Sequence, residues 1–177
     1  MNTRKIFVVV AAAAGMLTLG VVLPASAAPG DTAATLTVSG GSLSITVPAA
    51  AALGAWTNVV GGGTISGPLG QVEVSDARSA AAGAGWVATV ISTAFTPTGN
   101  PAIAASLVSY TAGPITKTGT ATYTANDPSD LTGVTPAVTA TAITGDNSAT
   151  WNPTIHVHIA GGTAAGSYLA TITHSVA

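Results

Sequence analysis

The feature that most constrains this fold is a period of two in the placement of apolar residues. In residues 154–159, isoleucine and valine alternate with threonine and histidine, and residues 35–39 and 42–47 show the same alternation. Because successive side chains of a strand point to opposite faces, this pattern places one face on a core and the other toward water. Further strands are predicted at residues 69–75, 86–95, 104–110, 120–125, 137–143 and 167–176.

Turn signals separate the predicted strands. Gly61-Gly62-Gly63, Gly99-Asn100-Pro101 and Gly145-Asp146-Asn147 are examples. Many short strands at this spacing predict an all-β fold: a single antiparallel β-sandwich with an immunoglobulin-like arrangement. Threonine, alanine and glycine dominate these strands, so the few large side chains must fill most of the core.

The first 28 residues have the layout of a secretory signal peptide. A positive end at Arg4 and Lys5 precedes an apolar run over residues 6–23, and small residues at 25–27 form a cleavage site. Glycines and a proline interrupt the apolar run, which favours cleavage over a membrane span. We therefore predict a signal peptide over residues 1–28 and a secreted, extracellular protein without a membrane span in its mature form.

The predicted mature domain, residues 29–177, carries little charge. Charged residues make up 6% of the chain, against about 25% in an ordinary soluble domain. Arg78 and Lys117 oppose six carboxylates in the mature segment, which gives a formal charge of −4. Two cations cannot neutralise a run of phosphates, so nucleic-acid binding is excluded. The chain has no cysteine, so any attachment to a surface is expected to be non-covalent.

Glu73 and Asp76 form the carboxylate pair that comes nearest to the requirement of glycoside hydrolysis. Residues three apart on a strand point to opposite faces, which is the wrong geometry for two carboxylates that flank one bond. We expect Glu73 to be solvated and Asp76 to pair with Arg78 across a turn. A secreted hydrolase is therefore the least favoured class, and we expect no enzymatic activity.

Two groups of residues are candidate metal ligands. His156 and His158 share a strand face and can ligate zinc, although two ligands are too few unless a carboxylate or His174 joins them. Oxygen-bearing side chains in turns can ligate calcium but lack the spacing of an EF-hand, and such residues usually cap turns. These residues are Asn126, Asp127, Asp130, Asp146 and Asn147. We expect no metal and no cofactor.

The tryptophans can be either core residues or platforms that stack on sugar rings. Trp86 begins a segment that is apolar on both faces, which favours burial. Trp151 precedes Asn152-Pro153 and is expected to close a strand edge, whereas Trp56 lies in a loop-like setting.

Three segments of the chain resemble the WxL domain family of secreted, cell-wall-associated bacterial proteins. They are residues 72–78 with Gly85-Trp86-Val87-Ala88, residues 149–151 with the strand at 155–159, and residues 166–173. Both Trp-x-Leu motifs of the family are altered here. Ala88 occupies the leucine place of the first copy, and His174-Ser175-Val176 stands for the second.

The resemblance implies non-covalent association with peptidoglycan or another wall polymer, assembly with other secreted surface proteins, and sometimes adhesion, without catalysis. The candidate wall-binding or core residues are Trp86, Ala88, Trp151, Tyr168 and His174. Alternation over residues 168–176 favours the core for the last two, with His174 hydrogen-bonded at the core margin. The alternative is a protein–protein or self-assembly module of an extracellular complex without glycan binding, because strands with few charges leave their edges poorly protected.

Overall fold

The computed structural model describes residues 32–57 and 59–177, and the chain divides into two compact units, residues 1–37 and 38–177. The predicted signal peptide, residues 1–28, lies outside the described residues. In the first unit, residues 32–37 are exposed and belong to no strand. All the strands described below belong to the second unit.

The described part of the second unit is built from antiparallel strands, which confirms the all-β prediction. The strands are β1 Leu43–Thr46, β2 Gly63–Pro68, β3 Val72–Ser92, β4 Thr96–Pro97, β5 Val108–Thr111, β6 Thr116–Ala125, β7 Thr135–Trp151, β8 Thr154–Ile159, β9 Tyr168–Leu169 and β10 Ile172–Val176. A short 3-10 helix, Ala105–Leu107, precedes β5.

The strands form two main sheets and one small one. The larger sheet has five strands in the order β1-β3-β7-β6, with β10 pairing with β3. The second sheet has three strands in the order β2-β8-β5, and β4 pairs with β9 in a separate ribbon. One hydrophobic core collects side chains from both main sheets, as a sandwich requires.

The alternation of apolar and polar residues along the strands determines which side chains form the core. In β3, Val72 and Val74 are buried while Glu73 and Ser75 are exposed. The inner face of β8 is likewise apolar. Larger buried side chains fill the rest of the core: Trp86, Trp151, Tyr110, Leu131 and Ile143.

Strands β3, β6 and β7 are longer than predicted. The segments 69–75 and 86–95 were predicted as separate strands, but one continuous strand, β3, runs through both. Register shifts between β3 and β7 absorb the small residues in between, where Ser79 has a φ of 52°. The predicted turn Gly145-Asp146-Asn147 was also wrong, because it lies inside β7. Glycine marks a bulge in both β3 and β7 rather than a turn.

The structure differs from the prediction at other places as well. Residues 35–39 are not a strand, and Leu36 and Val38 are exposed. Strand β2 was not predicted, because its only large apolar residue is Ile65, which lies between glycines. Its position is set by pairing with β8, where Ile65 lies opposite Val157. That pairing joins distant segments and has no local sequence signal.

Candidate functional site

The two segments that resemble altered Trp-x-Leu motifs lie side by side on neighbouring strands. Strand β10 pairs with β3 so that Val176 lies opposite Ala88 and His174 opposite Val90. Residues directly opposite each other in an antiparallel pair share a face. Trp86 is 2% exposed, Ala88 0% and His174 9%. The first copy is therefore buried, and the burial of Trp86 confirms the prediction for that residue.

Trp86 belongs to a buried polar cluster centred on Asn147. The Trp86 Nε1–H donates to Asn147 Oδ1 at 3.0 Å, and the Tyr123 hydroxyl donates to the same oxygen at 3.1 Å. Asn147 Nδ2 in turn donates to Asp76 Oδ2 at 3.3 Å. The side chains of β3, β6 and β7 are thus joined through one amide.

Asp76 and Arg78 form a bidentate ion pair at the margin of this cluster. Arg78 Nε lies 2.8 Å from Asp76 Oδ1, and Nη2 lies 2.9 Å from Oδ2. The guanidinium hydrogen bonds lower the pKa of the Asp76 carboxyl below its usual value. The predicted pairing is confirmed, but it lies within β3 and does not cross a turn. Glu73 is exposed on the opposite face, as predicted.

A second buried cluster joins Trp151, Tyr110 and His174. Trp151 Nε1 donates to the Tyr110 hydroxyl at 2.6 Å, and His174 Nε2 lies 3.3 Å from the same oxygen. Within the described residues, His174 Nδ1 is buried without a partner. Burial lowers the pKa of His174 to about 4, so the ring is neutral at pH 7. Burial also raises the pKa of Tyr110.

Tyr168 is only half-buried and is not part of either cluster. Its strand β9 pairs with β4, where Tyr168 lies opposite Pro97. The Tyr168 hydroxyl donates to the carbonyl oxygen of Ala164 at 2.9 Å. Of the candidate residues, Trp86, Ala88, Trp151 and His174 are buried, and Tyr168 packs at the core margin.

The histidines considered for zinc are not gathered into a metal site. His156 Nδ1 is 2.7 Å from Ser66 Oγ, and its Nε2 is 3.2 Å from Thr111 Oγ1, so both ring nitrogens have partners. His158 is exposed. In the part of the chain that the structure describes, no group of three or more histidine, aspartate or glutamate side chains is placed to hold a metal ion.

Four of the five residues that are candidate calcium ligands, all except Asn126, accept hydrogen bonds from backbone or side-chain groups of the protein. Asp127 accepts from the Ala112 N–H at 2.7 Å, and Asp130 accepts from the Thr132 N–H at 2.7 Å. Asp146 accepts from the Ser79 N–H at 2.9 Å. These contacts are local structural roles, as is typical of such residues. The sequence did not reveal the importance of Asn147. This residue was predicted to lie in a turn, but its side chain is buried within β7.

Trp56 is the most accessible of the tryptophans. Its side chain is 42% exposed, and its benzo ring packs against Gly63, where an added Cβ would overlap the ring. The neighbouring Val60 is fully exposed. Glycine at position 63 therefore allows the indole to lie directly on the backbone of β2.

Comparison of the chain with models of protein families, with curated proteins and with solved structures finds no match. The resemblance to the WxL domain family thus stays a prediction from the residues quoted above. Among the described residues, no helix has the length and apolar character needed to cross a membrane.

Proposed function

We propose that this chain is a secreted, non-catalytic surface protein that associates non-covalently with the bacterial cell wall. The signal-like start of the sequence and the resemblance to the WxL domain family support this proposal. The low charge of the predicted mature domain favours a binding surface that acts through hydrogen bonds and shape rather than through ion pairs.

The observation that carries the proposal is the pairing of β3 with β10. The resemblance rests partly on two segments far apart in the sequence, and the fold places them next to each other. The two altered leucine positions, Ala88 and Val176, are direct cross-strand partners. Their adjacency supports the proposal that the two segments act as parts of one core motif. Wall contacts are then assigned to the outer surface of the domain.

A non-catalytic role is supported by the way the buried polar groups are used. Asp76 is held by Arg78 and Asn147, and His174 contacts the hydroxyl of Tyr110. Both side chains are buried, Asp76 at 1% and His174 at 9% exposed. The hydrogen bonds between Asp76 and Asn147 and between His174 and Tyr110 join different strands, which is a structural role.

The proposal is tested by sedimentation with purified peptidoglycan sacculi. The secreted protein is incubated with sacculi, the sacculi are pelleted, and the protein is measured in both fractions. We expect it in the pellet, with little change between low and high salt, because few charges are available to bind. A soluble protein of similar size serves as the control. Complete recovery in the supernatant across pH and salt would show that the proposal is wrong.

The second candidate function is self-assembly, and the position of β6 favours it. This strand of ten residues lies at the edge of the five-stranded sheet. An open edge can add a strand from another chain. Lys117 and the bulge at Gly119, where φ is 83°, protect that edge in part. Size-exclusion chromatography with light scattering tests this candidate, and a strict monomer at high concentration counts against it.

A further inference from the structure

The buried amide of Asn147 is polarised by two hydrogen bonds to its oxygen. Asn147 Oδ1 accepts from Trp86 Nε1–H at 3.0 Å and from the Tyr123 hydroxyl at 3.1 Å. Two donors aimed at one carbonyl oxygen are the arrangement that stabilises an oxyanion when a nucleophile adds to an acyl carbon. The Cγ atom of Asn147 is therefore activated toward attack by an amine.

Asp76 lies at the nitrogen of the same amide. Asn147 Nδ2 donates to Asp76 Oδ2 at 3.3 Å, and the two side chains are only 5% and 1% exposed. The hydrogen bonds from Arg78 lower the pKa of the Asp76 carboxyl, which keeps it ionised at neutral pH. A carboxylate in this position can accept a proton from an attacking amine and pass it to the amide nitrogen.

Lys117 supplies an amine on the same face of the sheet as Asn147. In the pairing of β6 with β7, Lys117 lies opposite Ala149. Residues two apart on a strand share a face, so Lys117 and Asn147 are diagonal neighbours. Diagonal neighbours lie about 7–8 Å apart, within reach of a long side chain. Lys117 is also the only lysine of the predicted mature domain.

The path from Lys117 to Asn147 passes over a glycine. A Cβ added at Gly119 would lie 3.0 Å from Asn147 Cα and 3.1 Å from its Cβ, so β6 passes directly against Asn147 at a position without a side chain. Lys117 Nζ lies 5.9 Å from the centre of the Tyr123 ring, and the hydroxyl of that ring is bonded to Asn147 Oδ1. The lysine side chain thus extends along β6 toward the polarised amide.

We propose that Lys117 Nζ and Asn147 Cγ form an intramolecular isopeptide bond that joins β6 covalently to β7. The neutral amine adds to Cγ, and Trp86 and Tyr123 hold the resulting oxyanion. One proton passes from the attacking nitrogen through Asp76 to Nδ2, the Cγ–Nδ2 bond breaks, and ammonia leaves. One amine and one primary amide become one secondary amide and one ammonia, so the step requires no further reactant.

The cross-link has the role that a disulfide has in many secreted domains. The chain has no cysteine, and β6 is an edge strand of the five-stranded sheet. A covalent bond to β7 holds this edge strand in place and opposes its displacement by a strand from another chain. The bond is formed once and involves no turnover, and it does not depend on association with the cell wall.

Mass spectrometry and tryptic digestion of the secreted protein test the cross-link. We expect an intact mass that is lower than the sequence mass of the mature chain by one ammonia. Arg78 and Lys117 are the only tryptic sites of the predicted mature domain. A free lysine gives the fragments 79–117 and 118–177 from the denatured protein, whereas an acylated lysine is not cleaved and leaves residues 79–177 in one piece. A full mass, or ammonia loss with normal cleavage after Lys117, would overturn the proposal.

The test variant is Lys117→Arg, which keeps the positive charge but cannot form the bond. We expect it to have its full sequence mass and a lower urea midpoint than the wild type. The matched control is Asn126→Ala, which removes an exposed asparagine and should still lose one ammonia. Ammonia loss that persists in Lys117→Arg, or that disappears in Asn126→Ala, would overturn the assignment to Lys117 and Asn147. In the Lys117→Arg background, the hydrogen bonds of Asn147 can be measured separately from the cross-link.

The roles of the surrounding groups are tested by the rate of cross-linking. Tyr123→Phe keeps the ring beside Lys117 but removes one of the two donors to Asn147 Oδ1. The cross-linked fraction is followed by mass after cell-free synthesis, and urea midpoints establish that the variant is folded. We expect cross-linking at least about tenfold slower than in the wild type, because loss of one such donor reduces rates on the order of a hundredfold or more. An unchanged rate would overturn the role assigned to the two donors.

Discussion

Asn147 shows how much a single side chain contributes to this small core. It accepts hydrogen bonds from Trp86 and Tyr123 and donates one to Asp76. Buried polar groups are costly when they lose their partners, since water cannot replace them. The amide therefore makes it possible to bury the indole N–H of Trp86 beside a carboxylate.

We predict that Asn147→Ala lowers the free energy of unfolding by about 2 kcal/mol, because the indole N–H of Trp86 loses its acceptor in the core. Tyr123 retains the carbonyl oxygen of Ser148 at 3.2 Å. Urea denaturation followed by tryptophan fluorescence measures the change. The matched control is Asn126→Ala, whose exposed hydrogen bond to Thr139 should contribute less than about 1 kcal/mol. Equal losses in the two variants would contradict this account.

His174 gives the fold a specific dependence on pH. Its pKa is about 4 in the folded protein, against 6.5 for an unperturbed histidine. Between these values the unfolded chain binds more protons than the folded one, so stability falls as the pH decreases. From pH 7 to pH 5 we predict a loss of about 2 kcal/mol from this residue. Urea midpoints at the two pH values provide the measurement.

The control for this pH effect is His174→Leu, which removes the titrating group and should flatten stability between pH 7 and pH 5. Asp76 does not interfere in this window. Its pKa is lowered below 3.8 by Arg78, so the stability it contributes is lost only at still lower pH. A loss between pH 7 and pH 5 that is equally large in His174→Leu would assign the effect to another group.

At the scale of elements, the sequence predicts strands well where alternation is uninterrupted. Residues 154–159 form β8, and residues 43–46 of the predicted segment 42–47 form β1. The sequence-based prediction fails where a glycine can either end a strand or form a bulge within it. Gly83 and Gly145 have φ values of 90° and 71°, which suit a turn, yet both lie in continuous strands. Whether a glycine ends a strand or bulges it depends on partner strands that local sequence does not encode.

The candidate site was predicted only in part for the same reason. The burial of Trp86 and the position of His174 each follow from the local pattern of apolar residues in their own strands, β3 and β10. The role of the Asn147 amide depends instead on the register of β3, β6 and β7, which no local sequence pattern encodes.

The pairing of β3 and β10 predicts a coupling between Ala88 and Val176. Ala88→Val adds volume to a fully buried position and should cost about 1–3 kcal/mol of unfolding free energy. Val176→Ala removes volume from the facing position. Because the two changes compensate, the double variant should be more stable than the sum of the single effects by at least about 0.5 kcal/mol.

Urea denaturation of the four proteins in this cycle measures the coupling. Thr122→Val, at an exposed position of β6, a strand that does not pair with β10, serves as the control and should not couple to Val176→Ala. Strict additivity of Ala88→Val and Val176→Ala would contradict the cross-strand contact between the altered motifs.

In the molecule as a whole, the core and the proposed binding surface are separate. Trp86, Ala88, Trp151 and His174, which carry much of the WxL resemblance, are buried in the core, and the proposed wall contacts are assigned to the outer surface of the domain. Trp86 and Trp151 each have an internal acceptor for the indole N–H. Trp56, which is 42% exposed, is the tryptophan that solvent reaches most readily.

Acrylamide quenching of tryptophan fluorescence tests this separation most directly. In Trp56→Phe the remaining signal comes from Trp86 and Trp151, since the chain has three tryptophans. We predict that this signal is protected from acrylamide and that soluble muropeptides leave it unchanged. A signal from these two tryptophans that acrylamide quenches readily, and that muropeptides shift or protect, would contradict the account by placing the motif residues on the binding face.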